Sequence, residues 1–183
     1  MKPQGAWPRV ACGVAVIALS TAGLLHAQDN APAPAQATVR AAFGQDCESL
    51  LIAAVRQAHR EILVAVYSLT RDRLVDALIE AAGHGVSVQV KYDVKQAEYD
   101  AMKRAVNRLR DHKIKCTGIR FEDDYAAMHD KFAVIDRQVV LTGSYNFTDV
   151  ATTVNFENLV RIDSPDIARQ YREEFITIRS RTR

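Results

Sequence analysis

The sequence predicts an α/β fold in which a mixed β-sheet is sandwiched between α-helices. Short runs rich in β-branched residues alternate with longer stretches in which apolar residues recur at helical spacing. In the second half of the chain, several strand-like runs follow one another without a helix between them, which requires some antiparallel pairing. The 183 residues, 48% hydrophobic and 25% charged, have the composition of one globular domain rather than of a fibrous or disordered chain.

The N-terminal segment has the pattern of a secretory signal. Lys2 and Arg9 precede an apolar run over residues 10–25, and Ala27 is a small residue at a suitable cleavage point. We therefore predict a signal peptide over residues 1–27. A retained membrane anchor is the alternative, because the apolar run is nearly long enough to cross a bilayer.

Residues 28–37 are rich in proline and alanine and are predicted to form a linker before a folded domain at 38–183. Removal of the signal peptide leaves 22 basic and 22 acidic side chains, a net charge of zero. Overall charge therefore does not favour a polyanionic partner. Export predicts a periplasmic or secreted protein with no stable membrane association after cleavage.

Five elements are predicted in the first half of the domain. Asp46 suits the start of a helix, and Gly83 and Gly85 suit the end of another. In order, the elements are a strand at 38–43, a helix at 47–60, a strand at 62–67, a helix at 70–82 and a strand at 86–92.

The second half contains the strands that lack intervening helices. Pro165 suits the first turn of the last helix. In order, the elements are a basic helix at 96–111, a strand at 115–121, two strands at 128–135 and 138–141 that join at Asp136-Arg137, a strand at 158–162 and a helix at 164–179.

Basic residues form two clusters, either of which is suited to follow a phosphate backbone. Solvated helix faces explain each cluster equally well. The clusters are Lys103, Arg104, Arg108, Arg110, Lys113 and Lys115, and Arg172, Arg179, Arg181 and Arg183.

The predicted mature chain has two cysteines, Cys47 and Cys116. An oxidising compartment would permit a disulfide between them, and two free buried thiols are the alternative. Neither cysteine has the spacing of a zinc site.

A group of polar residues surrounds the predicted strand at 128–135. Residues two apart on a strand share a face, so His129 and Lys131 point the same way, while Phe132 and Val134 point into the opposite apolar layer. Histidine suits a nucleophile or an acid because its ordinary pKa of about 6.5 lies near neutrality. Lys131 is suited to offset the charge of a phosphate.

Further groups follow this strand. Ser144 and Asn146 are suited to donate hydrogen bonds to phosphate oxygens, and Gly143 lets the backbone approach an anion closely. Glu157 is suited to accept a hydrogen bond from the second ring nitrogen of His129. The residues together predict a phosphate site.

The spacing HxKx4Dx6GSxN, from His129 to Asn146, resembles the signature of the phospholipase D superfamily. The segments at 67–70, 143–148 and 155–158 are similar to those of its small bacterial endonucleases, and the likeness covers most of residues 38–180. The resemblance implies a phospholipase D/nuclease-like fold and hydrolysis through a phosphohistidine, without a metal or other cofactor.

The resemblance also assigns roles to residues. His129 would be the catalytic histidine, with Lys131 acting on the phosphate beside it. The others would be ligands or supporting residues, namely Ser144 and Asn146 on the phosphate, Glu157 as the orienting acid, and Asp136 and Gly143 in support.

Only one copy of the motif is present, since His59, His84 and His112 lack the rest of the pattern and are interpreted as surface residues. The superfamily usually needs two copies. The resemblance therefore implies a homodimer in which the two copies of His129 meet at a shared site.

Three functions remain open at this stage. The first is a DNA endonuclease with little sequence preference that also accepts RNA. The second is a phospholipase D acting on lipid head groups, and the third is a silent binding module, which the intact motif disfavours. A metal site at His129 and the acids Asp123, Asp124 and Asp130 is disfavoured because Lys131 would repel the ion. Tyr67 and Tyr145 are interpreted either as site residues or as core.

Overall fold

The computed structural model describes residues 37–123 and 125–181, which form a seven-stranded mixed sheet flanked by helices. The predicted signal peptide and the linker up to residue 36 lie outside these residues. The strands are β1 (Thr38–Phe43), β2 (Glu61–Val66), β3 (Ser87–Asp93), β4 (Lys115–Ile119), β5 (Lys131–Ile135), β6 (Val139–Gly143) and β7 (Asn158–Asp163). The helices are α1 (Asp46–Arg56), α2 (Asp72–Gly83), α3 (Asp100–Asp111), α4 (Asp149–Thr153) and α5 (Pro165–Thr177), with a 3₁₀ helix at Val94–Glu98.

The strand order is β1-β7-β6-β5-β2-β3-β4. Strands β2, β3 and β4 are parallel to one another, because a helix separates each from the next. The remaining pairs, β2 with β5, β5 with β6, β6 with β7 and β7 with β1, are antiparallel. The predicted antiparallel pairing of the late strands is confirmed.

Helices cover both faces of the sheet. Leu51 of α1 and Leu109 of α3 share one buried cluster with Val64 of β2. The preceding residue on β2, Leu63, lies in a second cluster with Phe175 of α5, because successive strand residues face opposite sides of the sheet. The predicted fold class, a mixed sheet sandwiched between helices, is confirmed.

Helix boundaries differ from the prediction where side chains accept hydrogen bonds from backbone N–H groups. Helix α1 ends at Arg56 rather than at residue 60, because the backbone N–H groups of His59 and Arg60 donate to the Asp136 carboxylate. Helix α3 begins only at Asp100, after a 3₁₀ turn in which the Lys95 N–H donates to the Asp93 carboxylate at 2.9 Å. In both cases an aspartate offers the backbone an alternative to the helical hydrogen bond.

Helix α4 was not predicted. Thr148 caps it, since its hydroxyl oxygen accepts from the Ala151 N–H at 3.2 Å, and Asp149 follows in the first turn. The Thr-Asp pair was the available sequence signal for this short helix.

Asp136 ties the β5–β6 hairpin to the start of β2. Its carboxylate accepts from the N–H groups of His59, Arg60 and Glu61 at 2.8, 2.7 and 2.9 Å. Asp136 and Arg137 have φ angles of 52° and 59°, the left-handed pair expected of a two-residue hairpin loop. Burial acts to raise the pKa of this carboxyl, but the three hydrogen bonds outweigh it and hold the pKa below its ordinary value.

We expect Asp136→Asn to lower the free energy of unfolding at pH 7 by about 1.5–3 kcal/mol, because asparagine tolerates the same φ but loses the charge that the three N–H groups contact. Since the folded-state pKa is lowered, this stabilisation is present above the ordinary carboxyl pKa and is lost as the pH falls below it. Urea unfolding at pH 7 and pH 3 measures the change. An equal loss of unfolding free energy at both pH values would contradict this role of the Asp136 charge. The control is Asp111→Asn, which changes an exposed carboxylate.

Cys47 and Cys116 are both free, and the fold excludes the disulfide that the sequence left open. The Cys47 thiol contacts the Ala42 carbonyl of β1, whereas Cys116 lies on β4 at the opposite edge of the sheet. Those edge strands lie roughly 25–30 Å apart, far beyond the reach of a disulfide. Burial raises the pKa of each thiol to about 11, so both are protonated at neutral pH.

Among residues 37–123 and 125–181, no helix has the length and apolar character needed to span a bilayer.

Candidate active site

The predicted site residues converge at one end of the sheet. At this end β2 finishes and β5 begins, so that Val66 pairs with Lys131. Strand β6 finishes and β7 begins at the same end, with Gly143 paired to Leu159. Residues just outside these strand ends therefore meet although they are far apart in sequence, namely Tyr67, His129, Ser144, Asn146 and Glu157.

His129 and Lys131 lie side by side. The Lys131 Nζ atom is 3.3 Å from each ring nitrogen of His129 and donates to the His129 carbonyl oxygen at 2.8 Å. The Tyr67 ring packs against both, with its centroid 4.9 Å from that of the His129 ring and 5.5 Å from Nζ. The aromatic face provides a cation–π contact to the ammonium and a flat surface against the imidazole.

Lys131 is buried, whereas His129 is exposed. Burial lowers the pKa of the Lys131 amine, and the negative charges of Asp130 and Glu157 oppose this shift. An anion bound beside the ammonium would compensate for its lost hydration. The geometry thus provides an accessible imidazole next to a held positive charge.

Two backbone hydrogen bonds position the segment that carries His129. The Asp93 carboxylate accepts from the Met128 N–H at 2.9 Å, and the Tyr67 N–H donates to the Asp130 carbonyl at 3.0 Å. Asp93 is 1% exposed and lies at the end of β3. Sequence reasoning missed it, because only the sheet topology brings residue 93 next to residue 128.

Ser144 and Glu157 are joined by a hydrogen bond from the Ser144 hydroxyl to the Glu157 carboxylate. The Asn158 N–H in turn donates to the Ser144 hydroxyl oxygen at 3.1 Å, and the Asn155 amide donates to Glu157 at 3.1 Å. Glu157 therefore positions the Ser144 hydroxyl. Its role toward His129 stays a prediction, and Asn158 is a site residue that sequence reasoning left without a role.

Gly143 is required by the close approach of β7. A Cβ atom at this position would lie 2.2 Å from the Asn158 carbonyl oxygen, a distance at which the backbone must move. The glycine therefore brings the β6 and β7 strand ends together and holds Ser144 next to Glu157.

The side-chain oxygen of Asn146 is buried and has no hydrogen-bond partner among the described residues. Buried polar atoms are normally paired, and unpaired ones concentrate at functional sites. The fold therefore leaves this amide oxygen unsatisfied, and the NH₂ group of the same side chain is the part that is suited to donate to a phosphate oxygen.

Asp136 lies apart from these residues, at the opposite end of β5. Its hydrogen bonds go to the start of β2, so in the structure it holds the strands, and its supporting role toward the site stays a prediction. The other described histidines are also at that far end. His59 precedes β2, His84 follows α2 just before β3, and His112 follows α3 just before β4.

The remaining acids considered for a metal do not form a cluster with His129. In the part of the chain that the structure describes, no group of three His, Cys, Asp or Glu residues is arranged to hold an ion. Asp124 lies outside that part. Tyr145 is fully buried and donates to or accepts from Thr152 at 2.6 Å, which makes it a core residue.

Fold and site together define an α/β protein with a histidine, a lysine and neutral hydrogen-bonding groups at one end of a mixed sheet. This set suits a tetrahedral phosphate, because it combines a nucleophile, a positive charge and donors for the non-bridging oxygens.

Comparison with known proteins identifies the family to which this fold belongs. A family model described as "Cardiolipin synthase, PLD-like domain" matches residues 51–179. A mitochondrial cardiolipin hydrolase from Xenopus tropicalis is 32% identical over 127 residues, which cover 69% of this chain and 58% of that protein. A phospholipase D from Rickettsia bellii is 24% identical over 135 residues, which cover 74% of this chain and 65% of that protein.

Among solved structures, that of a phospholipase D family member, Nuc from Salmonella typhimurium, matches with a TM-score of 0.73 at 27% identity. The match covers 78% of this chain and 94% of that chain. The chain belongs to the phospholipase D superfamily, as its motif resemblance predicted. It spans only 51%, 58% and 60% of the length of three relatives that carry the name mitochondrial cardiolipin hydrolase.

Proposed function

We propose that this chain is a metal-independent endonuclease that hydrolyses phosphodiester bonds in DNA and also in RNA. The observation that carries the proposal is the contact of exposed His129 with buried Lys131, next to the Ser144–Glu157 pair. The similarity to Nuc supports this choice of substrate, since that match extends over nearly the whole of the other chain.

In the proposed reaction, one ring nitrogen of His129 attacks phosphorus and forms a P–N bond while the P–O bond to the leaving group breaks. A second, protonated histidine gives its proton to the leaving oxygen. Water then attacks phosphorus, its proton passes to that second histidine, and the P–N bond breaks. Lys131, Ser144 and Asn146 stabilise the charge on the non-bridging oxygens.

The second histidine comes from another copy of the chain. His59, His84 and His112 lie at the far end of the sheet from His129 and cannot reach its substrate. A twofold homodimer would bring two copies of His129 to one shared site. An apolar surface beside the site supports this proposal, for Val150, Val154 and Phe156 are 56%, 72% and 105% exposed.

The same proposal places the protein in the periplasm or outside the cell after removal of residues 1–27. Protein sequencing of the N-terminus from a fractionated culture tests this placement. An N-terminus at Met1 in a membrane fraction would favour the retained anchor instead.

Hydrolysis of phospholipid head groups is the second candidate. The names of the relatives, cardiolipin hydrolase and phospholipase D, favour it. The residues at the strand ends are equally suited to either phosphodiester, so the two candidates must be separated by substrate.

Incubation of the purified protein with plasmid DNA, RNA, phosphatidylcholine and cardiolipin, each in excess EDTA, tests the proposal. We expect DNA and RNA to be cut and the lipids to remain intact. Lipid hydrolysis without cleavage of nucleic acid would refute the nuclease assignment. Loss of all cleavage in EDTA would refute the metal-independent reaction.

Tyr67 is predicted to act as a positioning residue for His129 and Lys131. We expect Tyr67→Ala to lower kcat by about tenfold, because the ring contact and the cation–π contact are both lost, and Tyr67→Phe to retain most of the activity. The pH profile of kcat should also change for Tyr67→Ala, since the environment of Lys131 becomes more hydrated. A loss of activity as large in Tyr67→Phe would instead assign the function to the hydroxyl group.

A further inference from the structure

A cavity of about 290 Å³ opens directly beside His129, on the side of the sheet covered by α5. Its lining joins three parts of the chain: the segment that follows β4, the segment that carries His129 and the end of α5. The charged lining residues are Asp130, Glu174, Arg179 and Arg181.

The two arginines carry positive charge that no carboxylate of the described residues neutralises through an ion pair. Within residues 37–123 and 125–181, no carboxylate forms an ion pair with Arg179 or Arg181, which follow α5, whereas Arg169 and Arg172 of α5 pair with Glu173 and Glu61. Two exposed guanidinium groups therefore border the cavity within reach of a bound anion.

The segment that carries these arginines is attached to the domain through backbone groups. The Arg181 N–H donates to the Arg120 carbonyl at 2.9 Å, and the Ser180 hydroxyl oxygen accepts from the Arg120 N–H at 3.1 Å. Neither bond uses a guanidinium group. The arginine side chains are thus presented by a fixed backbone and remain available for a ligand.

Two carboxylates also line the cavity. Asp130 is adjacent to both His129 and Lys131 in the chain, and Glu174 is on α5. Burial and the charge of Glu174 raise the pKa of Asp130, against the opposing charges of Lys131 and His129. The cavity accordingly combines cations for an anion with acceptors for N–H donors.

We propose that this cavity is a subsite for the nucleotide next to the scissile phosphate, in which Arg179 and Arg181 bind the neighbouring phosphate and Asp130 and Glu174 accept from the base. The inference rests on the proposed nuclease function. A nucleotide carries an anion and N–H donors on one small unit, and carboxylates pair with the exocyclic amino group of cytosine. The volume lies at the small end of ligand pockets, which fits one nucleotide better than a lipid with its acyl chains.

The test compares two substrates of the wild-type protein and of an Arg179→Ala/Arg181→Ala variant. Bis(p-nitrophenyl) phosphate contains a phosphodiester without a neighbouring nucleotide, whereas a single-stranded oligonucleotide supplies one. The quantity compared is kcat/KM for the oligonucleotide divided by kcat/KM for the small diester. We expect this ratio to be at least roughly tenfold lower in the variant than in the wild-type protein, because charge-assisted contacts are lost. Arg56→Ala/Arg60→Ala, at the far end of the sheet, removes equal charge and should leave the ratio unchanged.

An unchanged ratio in the Arg179→Ala/Arg181→Ala variant, or an equal fall in the control, would overturn the subsite. Failure of the wild-type protein to cut any polynucleotide while it hydrolyses the small diester would overturn the nuclease function itself, and the subsite with it. Thermal unfolding of both variants establishes that they are folded.

The proposed contact between the carboxylates and the base is tested by a separate measurement of cleavage rates. The wild-type protein should cleave oligo-dC faster than oligo-dT, and Glu174→Leu should reduce this preference, because the carboxylate acceptor is replaced by an apolar group. Equal rates on the two oligonucleotides, or a preference that Glu174→Leu retains, would overturn the assignment of the carboxylates.

Discussion

Replacement of His129 with alanine is expected to reduce phosphodiester hydrolysis by roughly 10⁴-fold or more, since the variant has neither the nucleophile nor the acid of the proposed reaction. His129 is exposed, and its ring contacts Tyr67 and Lys131 at the rim of the sheet. The fold should therefore be retained. Steady-state kinetics on a chromogenic diester and thermal unfolding measure the two properties separately.

The matched control is His112→Ala, which removes an exposed histidine from the opposite end of the sheet. This variant should remain within about twofold of the wild-type activity, as for most surface substitutions. Residual activity of more than a few per cent in His129→Ala would remove His129 from its proposed role. Trapping of a phosphorylated wild-type protein by an alkaline quench, in which a P–N bond survives, would support the covalent step if the adduct is absent from the variant.

Phe156→Asp is expected to dissociate the proposed homodimer and to reduce activity by roughly 100-fold or more at dilute protein concentration, because a buried unpaired charge opposes association. The side chain is fully exposed in the single chain and immediately precedes Glu157. Sedimentation velocity measures the oligomeric state, and kinetics over a range of protein concentrations measures the accompanying activity. Ile176→Asp, on α5 and also exposed, is the control that should leave the dimer intact.

Subunit mixing tests the shared site directly. If each site needs two copies of His129, an equimolar mixture of exchanged wild-type and His129→Ala subunits should retain about one quarter of the activity, because only wild-type pairs are active. Independent sites would retain about one half. An active monomer, or a linear dependence on the wild-type fraction, would exclude the shared site.

The phosphate site could be predicted from local sequence because its members lie on strands or just beyond their ends. The strand period predicted that His129 and Lys131 lie together, and they do, although β5 begins only at Lys131 and His129 lies just before it. The GSxN segment begins at the last residue of β6. Fold class was predictable for the same reason, since the alternation of strand and helix patterns defines it.

Long-range partners could not be predicted in this way. Asp93 contacts Met128 across 35 positions, and Asn158 contacts Ser144 across 14, through pairings that depend on the strand order. Asp136 belongs to the superfamily motif, yet its carboxylate holds the far end of β2. The motif spacing identified Asp136, but it did not show that the carboxylate binds the backbone at the start of β2.

The close contact between Gly143 and Asn158 restricts how a protein of this kind can acquire a new substrate. A side chain at residue 143 would collide with the β7 backbone, so a substitution there would displace the neighbouring groups of the site. The segments at 120–123, 125–128 and 148–156 connect elements of the fold and contain no glycine. Changes in the length and polarity of these segments are therefore the simplest route by which one phosphate-cleaving centre would be redirected between nucleotides and lipid head groups.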